Sequence, residues 1–409
     1  MKTEEFEMYT LYGDGIHDDA PAIQEMLDSG ISAVVLPVPA KNYAIGSTLV
    51  IHSGQSLVLP EMTVIKLLPG SNCYMLINEK AGDHHISVEG GIWDYNNGEQ
   101  HPHSRYAPHQ ITQKIPAPYA EDDERGKGVP YYSNRYNGRI MRFYGVSFIS
   151  VRNITYKDPV MYCVEFGYTD HFTVENIRFD FNYGNPVPVN MDGVHVDGGC
   201  HFGYIHNIQG TAYDDMVALN ADDGLPGDIT DIEVDGVFGE NSLRAVRLLS
   251  THSRVERISI SNVFGTYYQN PVSLTFYHYQ QTTRGIMDHI SIKNIFASNA
   301  VRLPIYQKSE NYQFGLIFID SRMDIGHVRI ENIGRNEKLG DIETIRILKD
   351  TKIKTLVLEH VNHENHTGRP VPMMINEGEI DKLYLLDIDH GDDVMIENRG
   401  TINKTIELG

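Results

Sequence analysis

The chain is poor in cysteine, in tryptophan and in positive charge, and each shortage removes a class of protein. It has three cysteines in 409 residues, Cys73, Cys163 and Cys200. An odd number with no metal-type spacing excludes a disulfide framework and predicts buried or free thiols. Lys and Arg number 34 against 55 Asp and Glu, a net charge of −21. So acidic a chain lacks the basic face that nucleic acid or an anionic membrane requires. No apolar run approaches the ~18 residues of a membrane-spanning helix. The opening MKTEEFEMYT is acidic and has no apolar core. That predicts no signal peptide and a cytoplasmic protein, or a secreted one if a leader is trimmed away. Helical periodicity is scarce too. One stretch carries it, DDAPAIQEMLDSG, with Asp18 or Asp19 as N-cap, Pro21 in the first turn, Ile23, Met26 and Leu27 on one face, and Gly30 as the stop.

What the chain does have is a recurring strand signature: apolar, any residue, Asn, apolar. It appears as VRNI at Val151, VENI at Val174, IHNI at Ile205, ISNV at Ile260, IKNI at Ile292 and IENI at Ile330, with variants VDGV at Val234 and LEHV at Leu358. Self-similarity at such periods means a solenoid, propeller or array. No helix lies between copies, which excludes helical repeats and leucine-rich horseshoes, and most gaps are shorter than the ~40 residues of a propeller blade. A parallel β-helix fits, each strand stacking on its counterpart ~4.8 Å away. The recurring Asn suits a turn in which its amide bonds the backbone or the Asn of the next coil. One polar, Pro-bearing segment, Asn96 to Arg139, interrupts the pattern. A loop of that length is usually functional or disordered, and it is expected to cover the substrate. Its histidines, His101, His103 and His109, lack a ligand spacing.

The densest chemistry lies between Asn190 and Gly224, NMDGVHVDGGCHFGYIHNIQGTAYDDMVALNADDG, with six aspartates and three histidines. Like charges sharing a site repel, so such clustering costs stability unless it is used. Asp192 and Asp214 are 22 residues apart by their numbers, about one coil, and Asp215 follows directly. Grouped carboxylates suit glycoside hydrolysis: one carboxyl with a raised pKa protonates the leaving oxygen, and an ionised one activates water or attacks the sugar.

The order of these pieces resembles glycoside hydrolase family 28, the polygalacturonases, whose fold is a right-handed parallel β-helix of the pectin-lyase-like superfamily. That family carries Asn-Thr-Asp and then Asp-Asp about one coil later; here NMDG begins at Asn190 and YDDMVALN at Tyr213. GDGIHDDAPAIQEML resembles the helix that caps the first coil of many β-helix enzymes and phage tailspikes. The resemblance implies an all-β, single-stranded right-handed parallel β-helix with a short N-terminal capping helix. The expected organisation is one domain over 1–409, with the cap at about 10–30 and a loop insertion at about 96–139. The resemblance also implies roles. Asp214 resembles the general acid. Asp192 and Asp215 resemble the residues that hold and activate water, which implies inversion at the anomeric carbon. Asn190 opens the motif and is a candidate substrate contact.

Every aspartate here has a competing reading as a turn cap. It suits Asp197 and Asp235. Asp222 and Asp223, in NADDGLPGD, look like turn residues but are also candidates to contact substrate. The chain departs from the family as well. NSLRAVRLLS stands where the family has Gly-His-Gly, with Arg244 near the histidine position, and NPVSLTFYH offers Ser273 and Thr275 where the family has the Arg-Ile-Lys that binds the sugar carboxylate. Without a bidentate arginine there, an acidic substrate is in doubt unless Arg244 or Arg247 takes over. His278 and Tyr277 are further candidate contacts, and Trp93 is either a stacking face or core. The expected protein is thus an inverting glycosidase on an oligo- or polysaccharide, needing no metal and no cofactor, with self-association left open. A Ca²⁺-dependent β-helix lyase, a fructan-processing transferase and a tailspike-like binding protein are the rivals.

Overall fold

The computed structural model describes residues 10–100, 138–182, 190–277, 281–300, 314–338 and 340–408. His278 and nearly all of the interruption at 96–139, including His101, His103 and His109, lie outside them. Among the described residues one α-helix occurs, Ala20–Asp28, and nearly all other regular structure is strand in parallel pairing. This is the parallel β-helix that the repeats predict.

The helix starts where its sequence says. Pro21 sits in the first turn, Ala22, Ile23 and Leu27 are buried, and Gly30 follows with φ of 78°. Asp19 occupies the N-cap position without capping. Its carboxylate instead accepts the backbone N–H groups of Tyr12, Gly13 and Ala44, while Asp18 takes that of Ala20. The two aspartates therefore pin the helix to the first coil as well as starting it.

The chain forms two compact units. One comprises residues up to 165 together with 170–189, the other 166–169 with 190–409. In the first, strands stack on three faces. Ala33–Val35, Ser56–Val58, His84–Glu89, Ser147–Lys157 and Asp170–Asp180 form one ladder. Tyr43–Ile45, Val64–Leu67 and Ile92–Asp94 lead into the end of Ser147–Lys157 in a second, and Leu49–Ile51, Leu76–Asn78 and Met141–Tyr144 form a third. Trp93 is fully buried in the second ladder, its indole N–H donated to the Gly90 carbonyl at 3.1 Å. It is core, so the idea that it offers a stacking face to sugar is withdrawn.

In the second unit, strands from His201–Gly210 through Ile229–Leu249, Arg254–Thr275, Gly285–Asn299, Met323–Glu337, Lys352–Asn365 and Glu379–Asp389 to Thr401–Leu408 stack in one long ladder. Register aligns Ile205, Val234, Ile260, Ile292, Ile330, Leu358 and Leu385 in one inward row. Each buried Val, Leu or Ile of such a row contributes ~1.5–3 kcal/mol of hydrophobic stabilisation. A second ladder runs Val194–Asp197, Asp215–Asn220, the ends of Ile229–Leu249 and Arg254–Thr275, and on through Ile317–Ile319, Ile345–Ile347, Met374–Asn376 and Ile396–Asn398.

The repeating asparagine is the corner of the coil. Asn153, Asn176, Asn207, Asn262, Asn294 and Asn332 all adopt φ between 54° and 59°, and the variants Gly236 and His360 take 75° and 50° at the same place. Asn tolerates this left-handed region better than other side chains, and Gly reaches it freely. The amides stack from coil to coil: Asn176 donates to Asn153 at 2.9 Å, Asn294 to Asn262 at 2.9 Å and Asn332 to Asn294 at 2.7 Å. Gly236 has no amide to offer, and Asn262 turns to the Asp235 carboxylate at 2.6 Å. Asp235, expected to cap a turn, thus completes the ladder. All three cysteines are buried free thiols.

Candidate active site

Parallel register in the second unit assembles the aspartates. Val194 pairs with Val217, a separation of 23 residues, so the row that contains Asp192 continues to Asp215 rather than Asp214. The local bonds agree: the Gly193 N–H donates to the Asp215 carbonyl at 2.9 Å, and the Asp215 N–H to Asp192 Oδ1 at 3.3 Å. Asp214 lies one residue earlier, at the edge of the strand. Oxygens of Asp192, Asp214 and Asp215 all come within 4.8 Å of one another. Asp192 and Asp215 are buried; Asp214 keeps 20% of its side-chain surface exposed.

Arg244 pairs directly with Asp215 on the next coil, and Arg247 with Ala218. Arg244 Nη1 donates to Asp214 Oδ1 at 3.0 Å and to Asp215 Oδ1 at 2.6 Å. Arg247 Nη1 lies 3.5 Å from Asp215 Oδ2, its Nε donates to Thr275 Oγ1 at 3.1 Å, and its guanidinium lies over the Tyr277 ring at 4.8 Å. The stretch with Ser273 and Thr275 therefore holds an arginine from the coil before it through Thr275. Asp215 Oδ2 and Arg247 Nη2 are buried and have no hydrogen-bond partner among the described residues.

Electrostatics separates the carboxyl groups. Burial, then the charges of Asp215 and Asp192, push Asp214 well above the usual carboxylate range, against the pull of Arg244 and Arg247. Burial also leaves Asp192 raised, its bond to His195 reducing the rise and the charge of Asp215 adding to it. His195 was not picked out by sequence reasoning. It is fully buried, with Nδ1 2.7 Å from Asp192 Oδ2 and Nε2 3.4 Å from Asp197 Oδ1. Burial lowers its basicity, yet the bonds to Asp192 and Asp197 prevail and lift its pKa to about 10. Asp197 is fully buried at the end of the strand. The turn-cap reading of Asp197 is corrected accordingly. The signal was legible: His195 and Asp197 are two apart in a strand, so they share a face.

The remaining candidates lie as follows. Asn190 is half-buried with φ of 53° and opens the turn into Asp192. Asp222 accepts the N–H groups of Thr251, His252 and Ser253 at 2.7, 2.9 and 3.0 Å and the Ser253 hydroxyl at 2.6 Å. It closes the turn of the next coil, the structural half of its expected double reading. Asp223 accepts from Asn220 at 3.2 Å, and its charge reaches Arg247. The trio's spacing is one that a hard divalent cation could bridge, but two guanidinium groups already supply counter-charge there.

No family model matches the sequence, and a search of curated proteins finds no relative. Solved structures do resemble the chain. A family 28 exopolygalacturonase from Yersinia enterocolitica matches with TM-score 0.51 and 14% identity over 97% of this chain and 76% of the other. The A-module of a mannuronan C-5 epimerase from Azotobacter vinelandii matches with TM-score 0.55 and 12% identity over 98% of each. A tailspike protein of Escherichia coli bacteriophage HK620, determined with a hexasaccharide, matches with TM-score 0.55 and 12% identity over 96% and 76%. At such identities the likeness carries the fold alone, the parallel β-helix.

Proposed function

We propose that this chain is a glycoside hydrolase cleaving an O-glycosidic bond of an oligo- or polysaccharide. The observation that carries the reading is the meeting of three aspartates whose oxygens lie within 4.8 Å of one another, with the partly exposed Asp214 driven toward its protonated form and the buried Asp192 bonded to His195. Groups whose environments push their pKa values apart are how acid and base are assigned at one pH. Asp214 donates its proton to the leaving oxygen. Asp192 takes a proton from the attacking water. Asp215, held by Arg244 and Arg247, completes the polar wall beneath them. The carbohydrate named with the phage tailspike and the activity named for the exopolygalacturonase support a saccharide substrate.

Inversion follows from the resemblance to family 28. The short approach of the carboxylate oxygens, within 4.8 Å, favours a second reading, retention with Asp192 as nucleophile, because retaining pairs stand ~5–5.5 Å apart and inverting pairs ~6.5–9.5 Å. Proton NMR of the first anomer released from an oligosaccharide panel tests both. An inverted anomer supports the first, a retained one the second. An unsaturated product absorbing in the ultraviolet and abolished by chelator would sink the hydrolase in favour of a lyase; binding with no turnover would sink it in favour of a tailspike-like binding protein. Polygalacturonate is expected to be a poor substrate, since both arginines are already committed to Asp214 and Asp215. Efficient release of galacturonic acid would refute that expectation.

A further inference from the structure

We infer that His195, backed by Asp197, is a positioning residue that holds Asp192 as an aimed carboxylate, so that Asp192 acts as the base and Asp214 as the acid. The kinetic side of this rests on the hydrolase reading; the chain of contacts Asp197–His195–Asp192 does not.

The geometry has three parts. First, His195 sits between Val194 and Val196, both fully buried, and its ring has no exposed surface. Strand alternation sends it to the same side as Asp197, and the turn that precedes Val194 brings Asp192 to its Nδ1. Second, both ring nitrogens face carboxylates, at 2.7 and 3.4 Å. A neutral imidazole has one N–H and can donate to only one of them; the imidazolium can donate to both. His363, also buried, differs in having one nitrogen on the Thr344 hydroxyl, so only its Nε2, shared between the Val371 carbonyl and Asp393, meets a carboxylate. Third, the carboxylate of Asp197 is fitted closely. A Cβ on Gly224 would fall 2.7 Å from Asp197 Oδ1 and 2.8 Å from Oδ2. Glycine in the Asp-Asp-Gly stretch therefore lets the chain cross over that carboxylate.

Charge closes the picture. The charged groups that meet in this cluster include Asp192, Asp197, Asp214, Asp215, Arg244, Arg247 and His195, with Asp223 reaching Arg247. Carboxylates outnumber cations among them, so a proton on His195 and one on Asp214 both reduce a negative excess. Remove the proton of His195 and that excess grows by one charge, a change that burial opposes. Asp192 would then take up a proton and cease to be a base. The outer partner of the imidazole thus selects which carboxyl group is ionised.

The test is nitrogen-15 histidine NMR of the full chain, with His195→Gln to assign the resonance. One imidazole is expected to stay doubly protonated at pH 8, to vanish in His195→Gln, and to titrate at least one pH unit lower in Asp197→Asn. A His195 signal already neutral at pH 8 in the wild type, or unmoved by Asp197→Asn, would overturn the inference, whether or not the protein hydrolyses anything. On a cleaved oligosaccharide, His195→Gln is expected to lower kcat/KM about 100-fold, within the range of lost general-base catalysis, and to move the acidic limb of its pH profile upward. A purely structural role would lower activity at every pH without moving that limb, and so would refute the kinetic half. Circular dichroism of both variants checks that they fold. If no substrate is cleaved at all, the hydrolase reading fails while the NMR result still decides the relay.

Discussion

At the scale of single residues, neighbouring aspartates of one acidic stretch stand in opposite surroundings, Asp214 raised and Asp222 lowered from the usual carboxylate range. Asp214 is the proton donor of the proposed reaction, and Asp214→Asn keeps its size while removing the proton. The expected loss is about 10²–10⁴-fold on a natural oligosaccharide. A substrate with a nitrophenol leaving group needs less protonation and should lose markedly less; equal losses on both would argue against the acid role. Asp222 behaves differently. Burial works against its charge, but the Ser253 hydroxyl and the N–H groups of Thr251, His252 and Ser253 outweigh it and hold the carboxyl below its usual range. Because the folded pKa is the lower one, the stabilisation is complete above the unfolded value of ~3.9 and is lost as pH falls through the folded value. Asp222→Asn should therefore cost about 1–3 kcal/mol at pH 7, read by urea unfolding, with a smaller penalty near pH 3. Activity per folded molecule should persist. If Asp222→Asn abolishes activity while Asp214→Asn spares it, the chemistry lies one turn further along the same stretch. Little of this distinction was legible beforehand, because Asp-Asp followed by Gly or by an apolar strand differs only in what the next coil presents to it.

At the scale of the element, the coil corner was the most legible feature of the chain. The eight repeats were visible as short patterns, and all eight of their third residues have positive φ. The reason is local: a left-handed corner selects Asn or Gly by backbone sterics alone, so the signal needs no tertiary contact to appear. The amide ladder adds a second requirement that Gly cannot meet. Asn294→Ala should be destabilising by ~1–3 kcal/mol, losing both the hydrogen bonds to Asn262 and Asn332 and the conformational tolerance. Asn294→Gly should cost less, since it loses only the ladder. The two variants compared by denaturant unfolding separate the contributions, and an equal cost would mean that the backbone strain is negligible. Helix Ala20–Asp28 was similarly legible from Pro21, its apolar face and Gly30. The use of Asp19 to bind Tyr12, Gly13 and Ala44 was not, because those partners come from outside the helix.

At the scale of the whole molecule, a net charge of −21 means that self-repulsion opposes the folded state. Raising ionic strength from about 0.01 M to 0.15 M shortens the screening length from ~30 to ~8 Å. The thermal midpoint is expected to rise across that range; an unchanged midpoint would show that the ion pairs along the strands already offset the charge locally. What the amino-acid sequence determined by itself was the architecture: inward rows of Ile, Val and Leu, corners of Asn, and one capping helix, each set by short-range sterics and periodicity. The grouping of Asp192, Asp214 and Asp215 could also be read from spacing, to within one residue. Only the tertiary structure decided the register that sets Asp192 in line with Asp215, the placing of Arg244 on both Asp214 and Asp215, and the enclosure of His195 between Asp192 and Asp197. The reason is physical. Strand pairing fixes which side chains are neighbours across coils, and turn lengths between strands vary, so sequence separation does not give the register. The charge state of a buried group depends on those neighbours as well as on its own identity.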